Sequence, residues 1–145
     1  MLATVQRVSK AEIFIDKKIY SSIGFGCLVF VCIEKNDTPK SIKDMVSKII
    51  NFRMLNLSKG VNYSTLKDST EEILIVSQFT LAAITNKGNK PSFHKAAKPN
   101  KAKNIYDQFV QIFKDSSLNV QTGRFGEIMN ITLTNKGPIT FNFRT

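Results

Sequence analysis

The fold is decided by the stretch Gly26-Cys27-Leu28-Val29-Phe30-Val31-Cys32-Ile33-Glu34, which contains the longest apolar run in the chain. A strand with one solvated face alternates apolar and polar residues, whereas this run presents apolar side chains on both faces. It is far shorter than the roughly 20 apolar residues that a membrane-spanning helix needs. The run therefore predicts a central strand that is covered on both faces.

A helical period follows this strand. Thr38 can cap a helix and Pro39 suits its first turn, and apolar residues recur at helical spacing up to a predicted end near Leu55. A second helix is predicted to follow a cap at Asn100. The apolar stripes are Ile42, Met45, Val46, Ile49 and Ile50 in the first helix and Ala102, Ile105, Tyr106, Phe109 and Phe113 in the second.

Strand patterns occupy both ends of the chain and one segment between the helices. They cover Leu2–Val8, Ala11–Ile15, Ile19-Tyr20, Ile73–Val76, Met129–Thr134 and Ile139–Phe143. Turns or loops are predicted at Asp16-Lys17-Lys18 and around Gly60 and Asn62. Many strands with two helices favour one α+β domain over residues 1–145. We expect a curved, barrel-like, mostly antiparallel or mixed sheet with both helices packed on one side.

The two cysteines, Cys27 and Cys32, lie five positions apart in the central strand, so their side chains should lie on opposite faces. Neither a disulfide nor a shared metal is therefore expected, and two buried thiols fit a reducing cytosol. The first residues do not form a signal peptide. These features predict a cytoplasmic protein without a membrane segment.

The chain of 145 residues is strongly basic, with 21 Lys and Arg against 11 Asp and Glu and a net charge of +10. Such a charge attracts polyanions, although a lysine-rich solvated surface would have the same composition. The distribution favours RNA, because the long polar loop Thr85–Asn100 and the residues just after it carry lysines and no acidic residue. These lysines are Lys87, Lys90, Lys95, Lys98, Lys101 and Lys103.

The side chains that catalysis usually needs are nearly absent. The only histidine, His94, has no Asp or Glu within ten residues, which favours a surface or RNA-contacting role over a Ser-His-Asp triad. Metal sites need several His, Cys or carboxylate ligands, and no phosphate-binding glycine motif occurs in the sequence. We therefore expect neither a metal nor another cofactor.

Two polar segments remain as candidate sites. Ser77-Gln78-Phe79-Thr80 follows a buried strand, where a rigid scaffold can aim functional groups, although polar strand ends are also ordinary. Asn135-Lys136-Gly137-Pro138-Ile139-Thr140 joins two predicted strands, which indicates a hairpin turn. Its Gly-Pro peptide is a plausible cis bond, because cis costs only about 0.5–1 kcal/mol before proline.

With these two segments the chain resembles the D-aminoacyl-tRNA deacylase family. Three further matches occur in the family's order, and these are Gln6-Arg7-Val8, Pro91-Ser92-Phe93 and Gln121-Thr122-Gly123-Arg124-Phe125. The similarity covers the whole chain, and the length agrees. One departure is Ile139, where the family often has Val.

The resemblance implies a homodimeric hydrolase that releases D-amino acids, and also glycine, from tRNA. Gly137-Pro138 would be cis and enter the partner's pocket, where its main-chain oxygens would exclude L-amino acids, and Arg7 would hold it. The substrate would lie near Ser77, Gln78, Phe79 and Thr80. Ala102 would line the adenosine end of the pocket, and Met129 would lie close to the amino acid. The tRNA would be bound by Lys87, Lys90, Lys95 and Lys98.

Two mechanisms are compatible with this resemblance. The vicinal hydroxyl of the terminal ribose could activate water while a backbone amide such as that of Phe79 stabilises the oxyanion. Thr80 could instead be a covalent nucleophile, but no base is visible for it. Two other functions stay open: a non-catalytic RNA-binding module, and an editing enzyme for L-aminoacyl-tRNA with changed geometry at Gly137-Pro138.

Overall fold

A six-stranded mixed sheet and two long helices form the fold in the computed structural model, which describes residues 1–56, 63–86 and 88–145. The elements are β1 (Leu2–Ile15), β2 (Lys18–Ile23), β3 (Gly26–Cys32), α1 (Pro39–Asn51), β4 (Leu55–Asn56), β5 (Tyr63–Ser64), β6 (Glu72–Ser77), a 3-10 helix (Phe79–Ala82), α2 (Pro99–Asp115), β7 (Val120–Thr122) and β8 (Asn130–Arg144). The predicted loop at Gly60 and Asn62 lies outside the described residues. No helix in the described ranges has the length and apolarity that crossing a membrane requires.

The sheet has the strand order β2-β1-β3-β6-β7. In this order β3 pairs with the first half of β1 and β2 with the second half. The strand β8 lies off this path and pairs along nearly the whole of β1. β1 is antiparallel to β2, β3 and β8, whereas β3, β6 and β7 run parallel to one another. The Ser21 hydroxyl on β2 donates to the Thr122 carbonyl on β7 at 2.9 Å and nearly closes the sheet into a barrel. The predicted α+β class with a curved, mixed, barrel-like sheet is therefore confirmed.

The larger core lies between the sheet and both helices. Cys27, Val29 and Val31 of β3 belong to it, whereas Leu28 belongs to a second cluster on the opposite face of the strand. The helices contribute Ile42, Met45, Val46 and Ile49 from α1 and Ile105, Tyr106, Phe109, Val110 and Phe113 from α2. Both predictions are confirmed: β3 is covered on both faces, and the two helices pack on one side of the sheet.

The helix boundaries confirm one predicted cap and correct another. Thr38 caps α1 in a reciprocal pair of hydrogen bonds with Ser41, as predicted for the cap. The helix ends at Asn51 rather than near Leu55, because Phe52 is already extended. Asn100 is not the cap of α2, which begins one residue earlier at Pro99. The fixed φ of proline suits the first helical position, where its missing N–H costs nothing.

The sequence patterns predicted two separate strands at each end of the chain, but each pair forms one continuous strand in the structure. The two predicted N-terminal strands form the single strand β1, and the turn after it has positive φ at Asp16 and Lys17. No hairpin separates the two C-terminal strands, because both halves of β8 pair antiparallel to β1. Residues 136–139 instead bulge out between the pairs Val8–Asn135 and Gln6–Thr140. Glycine and proline suit a bulge as well as a turn, so local chemistry could not distinguish them.

Gly26→Ala should destabilise the protein, because β3 and β6 approach each other too closely at this position for a side chain. A Cβ atom there would lie 1.9 Å from the Glu72 carbonyl oxygen, which is fixed in the parallel ladder. We expect the free energy of unfolding to fall by about 2–4 kcal/mol in urea denaturation. Ser22→Ala, at an exposed position on β2, is the control and should change it by less than about 0.5 kcal/mol. Equal midpoints for the two variants would contradict the predicted clash.

Candidate functional site

A largely apolar cavity of about 630 Å³ opens at the C-terminal ends of β3 and β6. These strands are parallel, so their ends meet at one edge of the sheet. The remaining walls come from the 3-10 helix, residues 93–97, the start of α2 and residues 125–131. A cavity of this size, bounded by rigid elements, can enclose a small molecule or one end of a larger one.

The polar segment 77–80 lies at this cavity, as its place after a buried strand indicated. Ser77 is the last residue of β6 and pairs with Val31, and the Gln78 amide donates to the Val31 carbonyl at 2.8 Å. The chain then turns into the 3-10 helix, so Phe79 and Thr80 do not continue the strand. Ser77, Gln78 and Phe79 line the cavity. Thr80 is exposed and its hydroxyl accepts a hydrogen bond from the Gln78 side-chain amide.

Two further wall residues, Cys32 and Phe93, were not among the predicted site residues, although Phe93 belongs to one of the family matches. The Phe93 ring meets the exposed Phe79 ring edge-on at 5.1 Å between centroids. The Cys32 thiol lies 3.6 Å from the Phe79 carbonyl oxygen, and burial raises the pKa of this thiol to about 11. Cys27 lies in the core, where burial raises its pKa to about 12. Both thiols are free, as predicted, and strand alternation was the signal that could have placed Cys32 at the cavity.

Arg7 holds the second polar segment from beneath. It is 3% exposed on β1, and its guanidinium donates to the carbonyls of Lys136 at 3.0 Å, Gly137 at 2.9 Å and Met54 at 3.2 Å. The Gly137-Pro138 peptide is cis. Gly137 and Pro138 are exposed, and neither lines the cavity of its own chain. The structure therefore joins Arg7 to this segment but keeps both apart from residues 77–80.

The structure brings two of the remaining predicted site residues to the cavity and leaves the lysines outside its wall. Ala102 and Met129 line the cavity, and Lys90, Lys95 and Lys98 are exposed on the loop before α2. Lys87 lies outside the described residues. Of these lysines, Lys95 and Lys98 are adjacent in sequence to residues that line the cavity, namely residues 96, 97 and 99.

Two features bear on the electrostatics of the site. His94 is exposed, and its Nδ1 atom lies 2.9 Å from the Ser92 hydroxyl. Of the described residues that line the cavity, Glu127 alone has a charged side chain, and no sequence pattern had singled it out. Within the described ranges, no group of three or more His, Cys, Asp and Glu residues is arranged to hold a metal ion.

Comparison with known proteins finds one family over nearly the full length. Residues 4–144 match the family described as D-Tyr-tRNA(Tyr) deacylase. The chain is 42% identical over 144 residues to a D-aminoacyl-tRNA deacylase of Francisella tularensis subsp. novicida (strain U112), with 99% of each chain covered. It is 42% identical to that of Aquifex aeolicus (strain VF5), with 97% of this chain and 95% of the relative covered. The corresponding protein of Escherichia coli O1:K1 / APEC is 36% identical, with 97% of each covered.

Two solved structures have the same fold. A c-Myc DNA unwinding element binding protein has a TM-score of 0.93 and 36% identity, and the match covers 100% of this chain and 99% of that one. A probable eukaryotic D-amino acid tRNA deacylase has a TM-score of 0.85 over 98% of this chain and 97% of that one. Its identity is only 18%, so this second likeness bears on the fold alone.

Arg7→Lys should destabilise the protein although it preserves the charge. A single ammonium group cannot replace a planar guanidinium that donates to three separate carbonyls. We expect the free energy of unfolding to fall by about 2–3 kcal/mol. The matched control is Arg144→Lys, where the side chain is 67% exposed and its ion pair with Glu34 is long at 3.6 Å. That change should cost less than about 0.5 kcal/mol, and equal losses at both positions would refute the role of Arg7.

Proposed function

The chain belongs to the D-Tyr-tRNA(Tyr) deacylase family, and we propose that it hydrolyses the ester bond between a D-amino acid and the 3′ end of tRNA. The observation that carries this proposal is the position of Ser77-Gln78-Phe79 on the wall of the cavity. The sequence motif that resembles the family's signature therefore lines a cavity that forms only when the chain folds. The match to deacylases over almost the whole chain supports the same reaction.

The cavity has the dimensions and the chemistry for the end of an aminoacylated tRNA. Its apolar walls suit a nucleobase and an amino-acid side chain, while residues 77–79 supply polar groups between them. Ala102 leaves room at the start of α2, where we place the terminal adenosine. Met129 lies on the segment that we place beside the amino acid.

The tRNA backbone would approach over the loop before α2. Lys90, Lys95 and Lys98 are exposed there, and lysine suits phosphate contacts that carry no base specificity. Lys98 precedes the first turn of α2, and its side chain does not cap the helix. The N–H groups of that turn therefore add a partial positive charge near the cavity. Lys87 stays a prediction from the sequence.

The Gly137-Pro138 segment supports a site shared between two copies of the chain. It is exposed, its carbonyls are held by Arg7, and it does not line its own cavity. We place it in the cavity of a partner subunit, where rigid main-chain oxygens would block the direction that an L side chain takes from the α-carbon. Glycine has no side chain to exclude, so glycyl-tRNA would also be hydrolysed.

The chemistry would be carried by backbone and substrate groups. The first N–H groups of a helix have no partner within the helix, and the 3-10 helix begins with the amide of Phe79 at the cavity. This amide can stabilise an oxyanion while the vicinal ribose hydroxyl orients water. The Thr80 hydroxyl is hydrogen-bonded to the Gln78 amide, which cannot act as a base. We therefore favour this mechanism over a covalent Thr80 intermediate.

The proposed reaction is tested by incubation with D-tyrosyl-, L-tyrosyl- and glycyl-tRNA, with the release of free amino acid measured. We expect release from the D-tyrosyl and glycyl substrates, with L-tyrosyl-tRNA spared. Thr80→Ala should retain activity within about tenfold, because a lost nucleophile would cost several powers of ten. Release from L-tyrosyl-tRNA would indicate an L-editing enzyme, and binding without any release would indicate an RNA-binding module.

The shared site is tested by mixing two inactive variants. Gly137→Val fits its own subunit, since a Cβ atom there would meet only the Asn135 amide at 3.7 Å, but it would obstruct the partner's cavity. Ala102→Trp would fill its own cavity. Each pure variant should be inactive, whereas co-refolding should restore about a quarter of the wild-type activity, because half of the dimers would hold one intact site.

Light scattering provides the control for this mixture. Both variants should have twice the monomer mass of 16.3 kDa. A species of monomer mass, or an inactive mixture of properly dimeric variants, would refute a site completed across subunits.

A further inference from the structure

The Gly137-Pro138 segment is held by a second contact besides Arg7, and this contact is made by the side chain of Lys136. Residues 136–139 bulge out between two pairs of the β1–β8 ladder. Arg7 binds the carbonyl groups of Lys136 and Gly137 from beneath. The Lys136 ammonium lies over the Phe25 ring, 4.7 Å from its centroid. Lys136 is therefore held both at its backbone and at the tip of its side chain.

The pairing of the strands explains how Lys136 reaches this ring. Val8 of β1 pairs with Gly26 of β3 on one side and with Asn135 of β8 on the other. Phe25 precedes Gly26 and Lys136 follows Asn135, so the two residues lie at the same level on opposite sides of β1. Two strand spacings amount to about 10 Å. A lysine side chain and a phenylalanine ring together can span this distance.

The backbone of Phe25 is fixed by its neighbours. Its carbonyl accepts a hydrogen bond from the Glu72 amide at 3.2 Å, and the amide of the preceding Gly24 donates to the Glu72 carboxylate. The following residue, Gly26, approaches the Glu72 backbone too closely for any side chain. The partly buried Phe25 ring therefore extends from a rigid part of the sheet and can hold the flexible side chain of Lys136.

The Lys136 ammonium is held by a ring rather than by an anion. No carboxylate of residues 1–56, 63–86 or 88–145 forms an ion pair with it. An aromatic face attracts a cation through its quadrupole and adds no negative charge. The contact therefore anchors the segment without a carboxylate, which would repel the phosphates of a nearby RNA.

We propose that Phe25 is a positioning residue, which fixes the carbonyl groups of Lys136 and Gly137 through the Lys136 side chain. This inference rests on the proposed function, in which those carbonyls exclude L-amino acids from the partner's cavity. A steric block of this kind requires its atoms to be held within about 0.5 Å. Loss of the ring contact should therefore weaken the discrimination between D- and L-amino acids more than it weakens hydrolysis itself.

The test measures kcat/KM for D-tyrosyl-tRNA and L-tyrosyl-tRNA in two variants. Phe25→Leu removes the aromatic face, whereas Lys136→Met removes the charge at an exposed position and should leave folding intact. We expect each variant to lower the D-over-L ratio about two- to fivefold, as the loss of an exposed cation–π contact predicts, through faster hydrolysis of the L ester. The double variant should lower the ratio no further, because both changes remove the same contact.

Three further variants separate positioning from a direct contact with tRNA. Phe25→Tyr and Lys136→Arg keep a ring face and a cation, so both should retain the wild-type ratio. Lys98→Met removes a lysine that we place on the tRNA backbone, so it should lower kcat/KM for both esters alike. If Lys136 itself bound a phosphate, Lys136→Met would behave like Lys98→Met and Phe25→Leu would change neither ester, which would overturn the positioning role.

The outcomes distinguish this inference from the proposed function. An unchanged D-over-L ratio in Lys136→Met, or losses in the two single variants that multiply in the double variant, would refute the role of Phe25 while the deacylase activity stood. If the wild-type protein released no amino acid from D-tyrosyl-tRNA, the proposed function would fail and this inference with it.

Discussion

The parallel pairing of β3 with β6 is the constraint on which the rest of the structure depends. Parallel neighbours cannot be joined by a tight turn, so the chain must leave the sheet, and it crosses over through α1 before it returns as β6. This crossover places α1 against one face of β3, where the larger core lies. It also brings the C-terminal ends of both strands to one edge, where the cavity opens. Gly26 permits the close approach, since any Cβ atom there would clash with the Glu72 backbone.

The candidate site relies on held backbone more than on reactive side chains. The polar groups at the cavity sit where β6 turns into a 3-10 helix, and the carbonyls of the exposed segment are held by the buried guanidinium of Arg7. Exposed lysines lie on the loop before α2, and Glu127 is the one charged residue among the described residues that line the cavity. Lysines in that position attract a polyanion to the outside of the cavity.

Much of the fold follows from short-range patterns. The apolar run of β3, the Thr38 cap and the stripes of both helices predicted elements that the structure contains, because burial and capping depend on residues close in sequence. The polar residues that begin at Ser77, the last residue of β6, were also predicted from a local pattern, because they directly follow a buried apolar strand. The predicted hairpin at Gly137-Pro138 and the Asn100 cap were wrong, because glycine, proline and asparagine suit several local structures and only the pairing with β1 or the start of α2 decides among them.

The sequence by itself determined the class of fold, the central strand, both helices and the membership of a family, since each depends on the order and spacing of residues along the chain. Only the tertiary structure decided which of these residues share a cavity. Cys32, Phe93 and Glu127 come from three separate segments and carry no common pattern in the sequence. Tertiary structure also separated Gly137 from the cavity of its own chain and joined it to Arg7, which lies 130 positions away. The physical reason is that strand register and layer packing are long-range properties, which bring together groups that no local window contains.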